Sequence, residues 1–274
     1  MGTLFIVPTP IGNLEDITLR ALRILREAAL IAAEDTRRSR VLTRHFDINT
    51  PMTSYHEHNK LSKLDEIFAA LETADVALIS DAGTPGISDP GFELIAAALE
   101  GGYDVVPLPG ACAVTTALIG SGLATDSFRY VGFLPRKTAA LRERLASLKD
   151  GRETIVAYES PYRLADTLTL IAEVLGAARR VCVARELSKK FERFYRGSAR
   201  ELRDHFAADN PRGEVTLVIA GADPDDASWT AEQVRAALNE RLAAGEALSR
   251  AARDVAKSAG WSKNKVYQLG IRDD

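Results

Sequence analysis

Residues 80–91 read Ser80-Asp81-Ala82-Gly83-Thr84-Pro85-Gly86-Ile87-Ser88-Asp89-Pro90-Gly91 and lie between the apolar run 76–79 and an apolar helical pattern over 92–99. Glycine costs backbone entropy and proline removes a hydrogen-bond donor, so a simple turn would not favour this composition. A strand-to-helix turn needs only about two to six residues. Longer loops at the carboxyl ends of strands in α/β sheets bind ligands. The stretch therefore predicts a ligand site lined mainly by backbone.

Two further rigid loops follow predicted strands. The first is Pro8-Thr9-Pro10-Ile11-Gly12-Asn13, and the second is Pro107-Leu108-Pro109-Gly110-Ala111-Cys112-Ala113. Their small residues allow a ligand to approach the backbone and a helix N-terminus. Neither loop has the G-x-G-x-x-G spacing of a Rossmann fingerprint or a P-loop lysine. Three such loops at one sheet edge predict a binding site of another kind.

The spacing of apolar residues predicts three parts. Residues 1–124 alternate strands and helices, which predicts a mostly parallel sheet with helices on both faces. Residues 125–222 combine helices with an antiparallel strand pair, which is typical of a mixed α/β domain. An acidic, breaker-rich linker follows Ala220, and residues 229–274 predict three short helices that resemble a helix-turn-helix.

The composition is that of a globular protein. The chain has 274 residues, of which 46% are hydrophobic and 27% charged. No run approaches the ~20 apolar residues of a membrane span. The two cysteines, Cys112 and Cys182, have neither metal-site nor disulfide-framework spacing, which fits a reducing compartment. We therefore expect a soluble, cytoplasmic protein without a membrane partner.

The histidines give little support for a metal site. His56 and His58 would share a face of a strand, but no third ligand is evident. We expect a solvated or hydrogen-bonded pair and no metal.

Positive charge is concentrated in the second part of the chain, although the formal net charge is −3. Residues 129–152 contain seven Lys/Arg and two acids, and residues 179–203 contain nine and three. Such patches either bind an anionic partner or are solvated helix faces with snorkelling stems. The residues leave both alternatives open.

Three charged segments follow predicted strands. In Glu34-Asp35-Thr36-Arg37-Arg38, we expect one carboxylate to cap the next helix and the other to face the cleft, where Arg37 would pair with it or with a phosphate. Glu159 and Arg163 lie four residues apart around a Ser-Pro helix start. The segment 185–192 is either a hairpin with solvated charges or an Arg–carboxylate array beside an anionic substrate. Asp89, followed by Pro90, predicts a helix N-cap.

Four runs together resemble the ribosomal RNA small subunit methyltransferase I family, within the tetrapyrrole methylase-like (class III) methyltransferases. They are Val7-Pro8-Thr9-Pro10-Ile11-Gly12-Asn13-Leu14-Glu15-Asp16-Ile17-Thr18, Ala33-Glu34-Asp35-Thr36-Arg37, residues 80–91, and Arg185-Glu186-Leu187-Ser188-Lys189-Lys190. The resemblance covers essentially the whole chain.

The resemblance implies the two-domain tetrapyrrole methylase-like α/β fold with S-adenosylmethionine in the cleft between the domains, and a homodimer. It implies 2′-O-methylation of a decoding-centre cytidine in 16S rRNA, so the small ribosomal subunit is the expected partner. By position in the motifs, it implies that the cofactor is bound by Pro10, Asp81, Gly83, Thr84, Pro85, Cys112, Ala113, Ala157, Tyr158 and Gly213. Thr84 stands where relatives have aspartate, and Asp81 is the expected substitute for that charge.

Methyl transfer to a ribose hydroxyl needs a group that takes the proton or stabilises the developing oxyanion. The candidate catalytic residues are Glu34, Asp35, Glu186 and Lys189; lysine could act only with a lowered pKa or as an electrostatic aid. The candidate substrate-binding residues are Asn13, Arg37, Arg163, Arg185 and Lys190. The basic patches and the helical tail are expected to hold phosphates.

Two other functions remain open. A tetrapyrrole (precorrin-type) methyltransferase would share the fold and cofactor, and its acidic substrate would also suit the basic patches. A non-catalytic ribosome assembly factor would retain the loops without turnover.

Overall fold

The computed structural model describes residues 1–56, 59–208, 212–223, 229, 231–259 and 261–271. The strands are β1 (Thr3–Ile6), β2 (Leu30–Ala33), β3 (Met52–Ser54), β4 (Val76–Ile79), β5 (Asp104–Pro107), β6 (Phe128–Phe133), β7 (Thr154–Glu159), β8 (Arg180–Arg185), β9 (Arg193–Ser198) and β10 (Val215–Ile219). The helices are α1 (Leu19–Glu27), α2 (Thr36–His45), α3 (Lys60–Leu71), α4 (Phe92–Glu100), α5 (Ala113–Ser121), α6 (Thr138–Leu148), α7 (Leu164–Val174), α8 (Ala199–Ala208), α9 (Ala231–Ala243), α10 (Leu248–Ala259) and α11 (Lys263–Ile271).

The first sheet has the order β3-β2-β4-β1-β5, and every pair in it is parallel. All four residues of β4 are buried because it is an inner strand with a hydrophobic cluster on each face. Since the strands are parallel, the loops that follow β1, β2, β4 and β5 meet at one edge. This confirms the predicted parallel sheet covered on both faces.

The second sheet has the order β6-β7-β10-β8-β9, in which only β6 and β7 are parallel. The predicted antiparallel pair is β8 and β9. The apolar pattern predicts the second of these strands over 191–195, whereas β9 begins two residues later, at Arg193. Helices α6, α7 and α8 cover one face of this sheet around Leu145, Leu168 and Phe206. The mixed character of the second sheet is therefore confirmed.

Helix α5 covers the other face of the second sheet, although it follows the last strand of the first. Val114, Ala117 and Leu118 pack against Val156 and Cys182. A Cβ on Gly120 would clash with the outer edge of the Phe194 ring, so glycine here lets this ring pack directly on the α5 backbone. The domain boundary placed at residue 124 stays a prediction, and α5 joins the two sheets just before it.

Helices α9, α10 and α11 pack on one another, as the tail pattern predicted. Their shared core includes Val234, Leu238, Val255 and Val266. The Trp261 indole donates a hydrogen bond to the Trp229 carbonyl at 3.3 Å, which ties the start of this unit to its last helix. Residues 224–228 of the predicted linker lie outside the described residues.

Two local predictions differ from the structure. The apolar spacing over 16–27 predicts one helix from Asp16, but the structure has a 3₁₀ turn over Leu14–Asp16 and a separate α1, because the Thr18 side chain caps α1. Asp89 is not the N-cap of α4, so that prediction is wrong. The helix begins at Phe92 after Gly91, whose φ of 151° turns the chain into the helix only there.

Candidate functional site

A cavity of ≈ 350 Å³ lies between the loop edge of the first sheet and the second sheet. Its volume is within the range of about 300–1,000 Å³ typical of small-molecule sites. Its walls are Ile11, Ala82, Gly83, Thr84, Ile87, Ser88, Asp89, Cys112, Ala113, Phe133, Tyr158, Glu159, Ser160, Pro161, Gly213, Glu214, Val215 and Thr216. We name this space the interdomain cavity.

Backbone hydrogen bonds hold the loops that form the cavity. The Thr9 and Gly83 amides each donate to the other residue's carbonyl at 2.9 Å, which joins the loops after β1 and β4. The Thr84 hydroxyl donates to the Ala111 carbonyl at 3.0 Å and so joins the loop after β5. Gly83 has a φ of 83°, which favours glycine. Hydrogen bonds therefore hold the three loops together without a ligand.

Asp89 is the half-buried carboxylate of the cavity. Burial is the largest cause that raises its pKa, to about 7, and the nearby charges of Glu34 and Asp81 raise it further, while a hydrogen bond from Ser80 opposes them. Among the described residues, Asp89 has no cation within ion-pair distance. A carboxyl with a pKa near 7 can both hold and release a proton at neutral pH.

Glu159, by contrast, is a buried carboxylate whose oxygens have hydrogen-bond and ion-pair partners. Its side chain is 1% exposed and lies 3.3 Å from the Arg163 guanidinium. It also accepts hydrogen bonds from the Thr167 hydroxyl and from the Ser160 amide, both at 2.6 Å. This network fixes the cavity wall at the end of β7.

A second cleft lies beside the interdomain cavity, and we name it the β2–β4 cleft. It is lined by Glu34, Asp35, Thr36, Arg37, Arg38, Ser54, His56 and Asp81. Four of the predicted site residues, Glu34, Asp35, Arg37 and Asp81, therefore lie together here. They were assigned to catalysis, substrate binding and cofactor binding from sequence.

The polar groups of the β2–β4 cleft bind one another. Asp81 accepts from the Asp35 amide at 3.1 Å and pairs with Arg38 at 2.9 Å, and its own amide donates to Glu34 at 3.1 Å. Asp35 caps α2 through the Arg37 amide, as one of the open alternatives predicted. Hydrogen bonds from Arg37 hold the pKa of Asp35 well below its usual range. Asp35 therefore remains ionised at neutral pH.

The carboxylate that lines the cavity near Thr84 is Asp89. Asp81, which the sequence suggested as the substitute for a missing charge, lines the β2–β4 cleft and is paired with Arg38. Of the other predicted cofactor residues, Pro10, Pro85 and Ala157 are absent from the cavity wall. The structure brings together in that wall Gly83, Thr84, Cys112, Ala113, Tyr158 and Gly213.

Glu186 and Lys189 form a cluster with Glu214 at the domain junction. Lys189 lies 2.9 Å from Glu186 and 3.1 Å from Glu214. Partial burial opposes ionisation of Lys189, but the two carboxylates outweigh it and raise the pKa of the lysine. Burial likewise acts to raise the pKa of Glu186, but the Glu214 amide and Lys189 keep it below its usual value. Lys189 therefore remains a cation at neutral pH.

A third cleft brings Asn13, Lys189 and Lys190 together. The Ser188 hydroxyl donates to Asp16 across the domain junction at 2.6 Å. The Asn13 side chain accepts from the Glu15 amide and caps the 3₁₀ turn. Lys190 lies 5.6 Å from the Phe191 ring centroid.

Two predicted substrate-binding arginines have protein partners instead. Arg163 donates to the carbonyls of Leu134 and Pro135 in addition to its pair with Glu159. Arg185 donates to the Arg212 carbonyl at 2.6 Å. These contacts stabilise the second domain, and the role of both residues toward substrate stays a prediction.

Many cations of the segment 179–203 also have structural partners. Arg179 is buried and donates to three backbone carbonyls. Arg180 and Arg196 donate to carbonyls at the C-terminal end of α5. Among the described residues, Lys190, Arg193 and Arg200 form no ion pair, so the free positive surface is smaller than the sequence count suggested.

Comparison with known proteins agrees with these features. The model of the family "Tetrapyrrole (Corrin/Porphyrin) Methylases" matches residues 3–203. A "Ribosomal RNA small subunit methyltransferase I" from Synechocystis sp. is 46% identical over 273 residues, which cover 99% of this chain and 98% of that protein. A protein of the same name from Pseudomonas aeruginosa is 46% identical, with 99% and 97% covered.

The chain belongs to the ribosomal RNA small subunit methyltransferase I family. Among solved structures, uroporphyrin-III C-methyl transferase from Thermus thermophilus, complexed with S-adenyl homocysteine, is similar with a TM-score of 0.57 at 18% identity. The match covers 80% of this chain and 97% of that one. This likeness confirms the tetrapyrrole methylase fold.

The cavity fits the S-adenosylmethionine expected for a methyltransferase of this family. Ile11, Ile87 and Val215 provide apolar surface for an adenosyl group, and Asp89 provides a carboxylate for a cation. The described residues contain no group of three or more potential metal ligands. Of the predicted histidine pair, His56 is described, whereas His58 lies outside the described residues. No described helix is both apolar and long enough to cross a bilayer.

Sequence reasoning missed several residues of the cavity wall. Ile87, Ser88, Phe133 and Pro161 line it, as does Asp89, which was assigned to a helix cap. The sequence could have indicated Asp89 as a cavity residue, because it lies inside the same glycine-rich loop that predicted the site. No sequence feature indicated Phe133, because its place in the cavity wall depends on how the second sheet faces the first.

We expect Arg163→Met to destabilise the cofactor-free protein by about 2 kcal/mol, because it leaves the buried Glu159 carboxylate without its cation. Urea unfolding followed by circular dichroism measures the change. The exposed Arg152→Met is the control and should change stability by less than about 0.5 kcal/mol. Adding Glu159→Gln should recover part of the loss. Unchanged stability of Arg163→Met would contradict the structural role.

Proposed function

We propose that the protein transfers the methyl group of S-adenosylmethionine to the 2′-hydroxyl of a decoding-centre cytidine in 16S rRNA. The observation that carries the proposal is the interdomain cavity, to which three hydrogen-bonded loops contribute. The chain that forms it is 46% identical to a named family member over nearly its whole length. We also propose that it acts in the cytoplasm, where small ribosomal subunits are available.

The arrangement supports methyl transfer through alignment. S-adenosylmethionine supplies an activated methyl group when bound, so the protein chiefly orients the acceptor and removes water. Gly83, Cys112 and Tyr158 belong to the proposed cofactor wall. The β2–β4 cleft, whose carboxylate Glu34 acts electrostatically on Asp89, is the proposed site of the acceptor nucleotide.

The predicted catalytic residues divide into two groups. Glu34 and Asp35 lie in the β2–β4 cleft, and we propose that they orient the acceptor through Arg37 and Arg38. Lys189 stays cationic beside Glu186 and Glu214, so we propose an electrostatic role toward RNA and not proton removal.

The C-terminal helices support RNA binding. Helices α10 and α11 and the residues between them, 248–271, contain five Lys/Arg and one acid, whereas α9 contains two of each. This asymmetry places positive charge on two of the three helices, where phosphates can be bound. We propose that this unit binds the rRNA outside the reaction site.

Helix α4 supports the proposed homodimer. Phe92 and Leu99 are seven residues apart, so they share one face, and they are 71% and 58% exposed. Apolar residues exposed together on one face are typical of association surfaces. Because α4 follows the loop 80–91 directly, a second subunit packed on this face would stabilise the conformation of that loop.

The function is tested by incubating the protein with labelled S-adenosylmethionine and small subunits that lack their native methylation. We expect label in 16S rRNA, at one ribose-methylated cytidine identified by mass spectrometry. Binding of S-adenosylmethionine, measured by calorimetry, accompanies the assay. Transfer to a precorrin-type substrate would favour the tetrapyrrole alternative, and absence of cofactor binding would favour a non-catalytic assembly factor.

We expect Lys263→Glu on α11 to weaken RNA binding and to lower the salt slope, d log K/d log[salt], by about 0.7–0.9 for each phosphate that the variant no longer binds. Filter binding to 16S rRNA fragments between low and high salt measures this slope. Arg235→Glu on α9 changes the charge equally and is the matched control. Equal slopes for the two variants would contradict RNA binding by α10 and α11.

We expect Phe92→Glu to dissociate the proposed homodimer, because it places a charge in an apolar interface. Sedimentation equilibrium of the wild-type protein and the variant measures the change in mass. Leu19→Glu, which alters an 86%-exposed apolar residue on α1, is the control and should leave the mass unchanged. A monomeric wild-type protein would contradict the dimer itself.

A further inference from the structure

We propose that Asp89 is the proton acceptor of the methyl-transfer reaction. The inference rests on the proposed function, because it assigns the carboxylate to a hydroxyl acceptor at the same site. It concerns a residue that the motifs do not mark for catalysis, since its position before Pro90 is typical of a helix cap. Three features support the assignment.

The first feature is location. Asp89 lines the interdomain cavity together with the predicted cofactor residues Thr84, Cys112 and Tyr158. It is also close enough to Glu34 and Asp81 of the β2–β4 cleft to be affected by their charges. Asp89 therefore lies in the wall of the proposed cofactor cavity and within electrostatic reach of the cleft that we propose for the acceptor.

The second feature is the state of the competing groups. Glu159 is bound by Arg163, Thr167 and the Ser160 amide, so taking a proton would disrupt a buried network. Glu214 is 76% exposed and paired with Lys189. Among the carboxylates that line the cavity in the described part of the chain, only Asp89 has no ion pair.

The third feature is the set of groups around Asp89. Glu34 follows β2, Asp81 and Ser80 follow β4, and Tyr130 and Tyr158 belong to β6 and β7. Burial and the two anions keep the pKa of Asp89 near 7, and burial raises the pKa of both tyrosines, which therefore stay neutral. A sulfonium bound in the cavity would favour the ionised form of Asp89.

The charges and bonds balance in this scheme. The acceptor oxygen forms a bond to the methyl carbon as the sulfur–methyl bond breaks, and that electron pair remains on sulfur. The hydroxyl proton moves to the Asp89 carboxylate. Because the cation has then become a neutral thioether, the pKa of Asp89 returns toward its raised value of about 7, which favours transfer of the proton to this carboxyl.

The first test measures protons and not turnover. Calorimetry of S-adenosylmethionine binding at pH 7, in buffers with different ionisation enthalpies, gives the number of protons released. We expect release of up to about half a proton per site, because a group with a pKa of about 7 is half protonated there. S-adenosylhomocysteine, which lacks the sulfonium, should release almost none. Asp89→Asn should bind both ligands and release none.

The second test is the pH profile of single-turnover methyl transfer to undermethylated small subunits. The wild-type rate should rise with pH until Asp89 is ionised, and Asp89→Asn should be about 10²–10⁴-fold slower without that rise. Glu214→Gln removes another cavity carboxylate and should keep the pH-dependent rise. We expect Asp89→Asn to fold, because the substitution removes a half-buried acid whose ionised form is destabilised.

The outcomes separate this inference from the proposed function. Absence of transfer by the wild-type protein contradicts the function itself. Transfer by wild type and Asp89→Asn with the same pH profile contradicts only the role of Asp89. An Asp89→Asn rate that returns to the wild-type value at saturating S-adenosylmethionine would also overturn the inference, since Asp89 would then act only in cofactor binding.

Discussion

The pair of backbone hydrogen bonds between Thr9 and Gly83 is the constraint on which the site depends. It joins the loops after two adjacent parallel strands, β1 and β4, beyond the point where sheet pairing ends. The Thr9 hydroxyl adds a bond to the Ser80 carbonyl, and Thr84 extends the link to the third loop. With their backbone groups satisfied in this way, the loops can present small residues to a ligand without collapsing into the cavity.

Charge pairing around the cavity explains why one carboxylate differs from the rest. Asp35, Asp81, Glu159 and Glu186 each have a cation within 3.3 Å. Asp89 has none among the described residues, and its folded-state pKa is raised. A raised carboxyl pKa lowers stability as pH rises from the unfolded value toward 7, because the folded state holds the proton more tightly. The protein thus keeps a destabilising group in its cavity, which is expected of a residue retained for chemistry.

The sequence predicted the parallel sheet, the mixed sheet, the three tail helices and the family, because periodicity and long motifs carry that information locally. It also predicted a ligand site at the glycine-rich loop 80–91, and residues of this loop line the interdomain cavity. It could not predict that Arg163 binds the carbonyls of Leu134 and Pro135, or that Arg196 binds the end of α5, because these contacts join residues far apart in sequence. The prediction that Asp89 caps α4 was wrong for a local reason. Ser88 and Gly91 both have positive φ, so the helix starts after them.

The contact between the two sheets determines how a ligand can enter. Ile11, from the first domain, belongs to the same apolar cluster as α5, Val156 and Leu187. A Cβ on Gly12 would lie 2.9 Å from the Leu187 carbonyl, and Ser188 binds Asp16 across the junction. Opening the domains would expose this cluster and break that hydrogen bond, which makes a hinge motion costly. Phe133 lines the cavity and is 66% exposed, so the cavity reaches the protein surface there and a ligand can enter without separation of the domains.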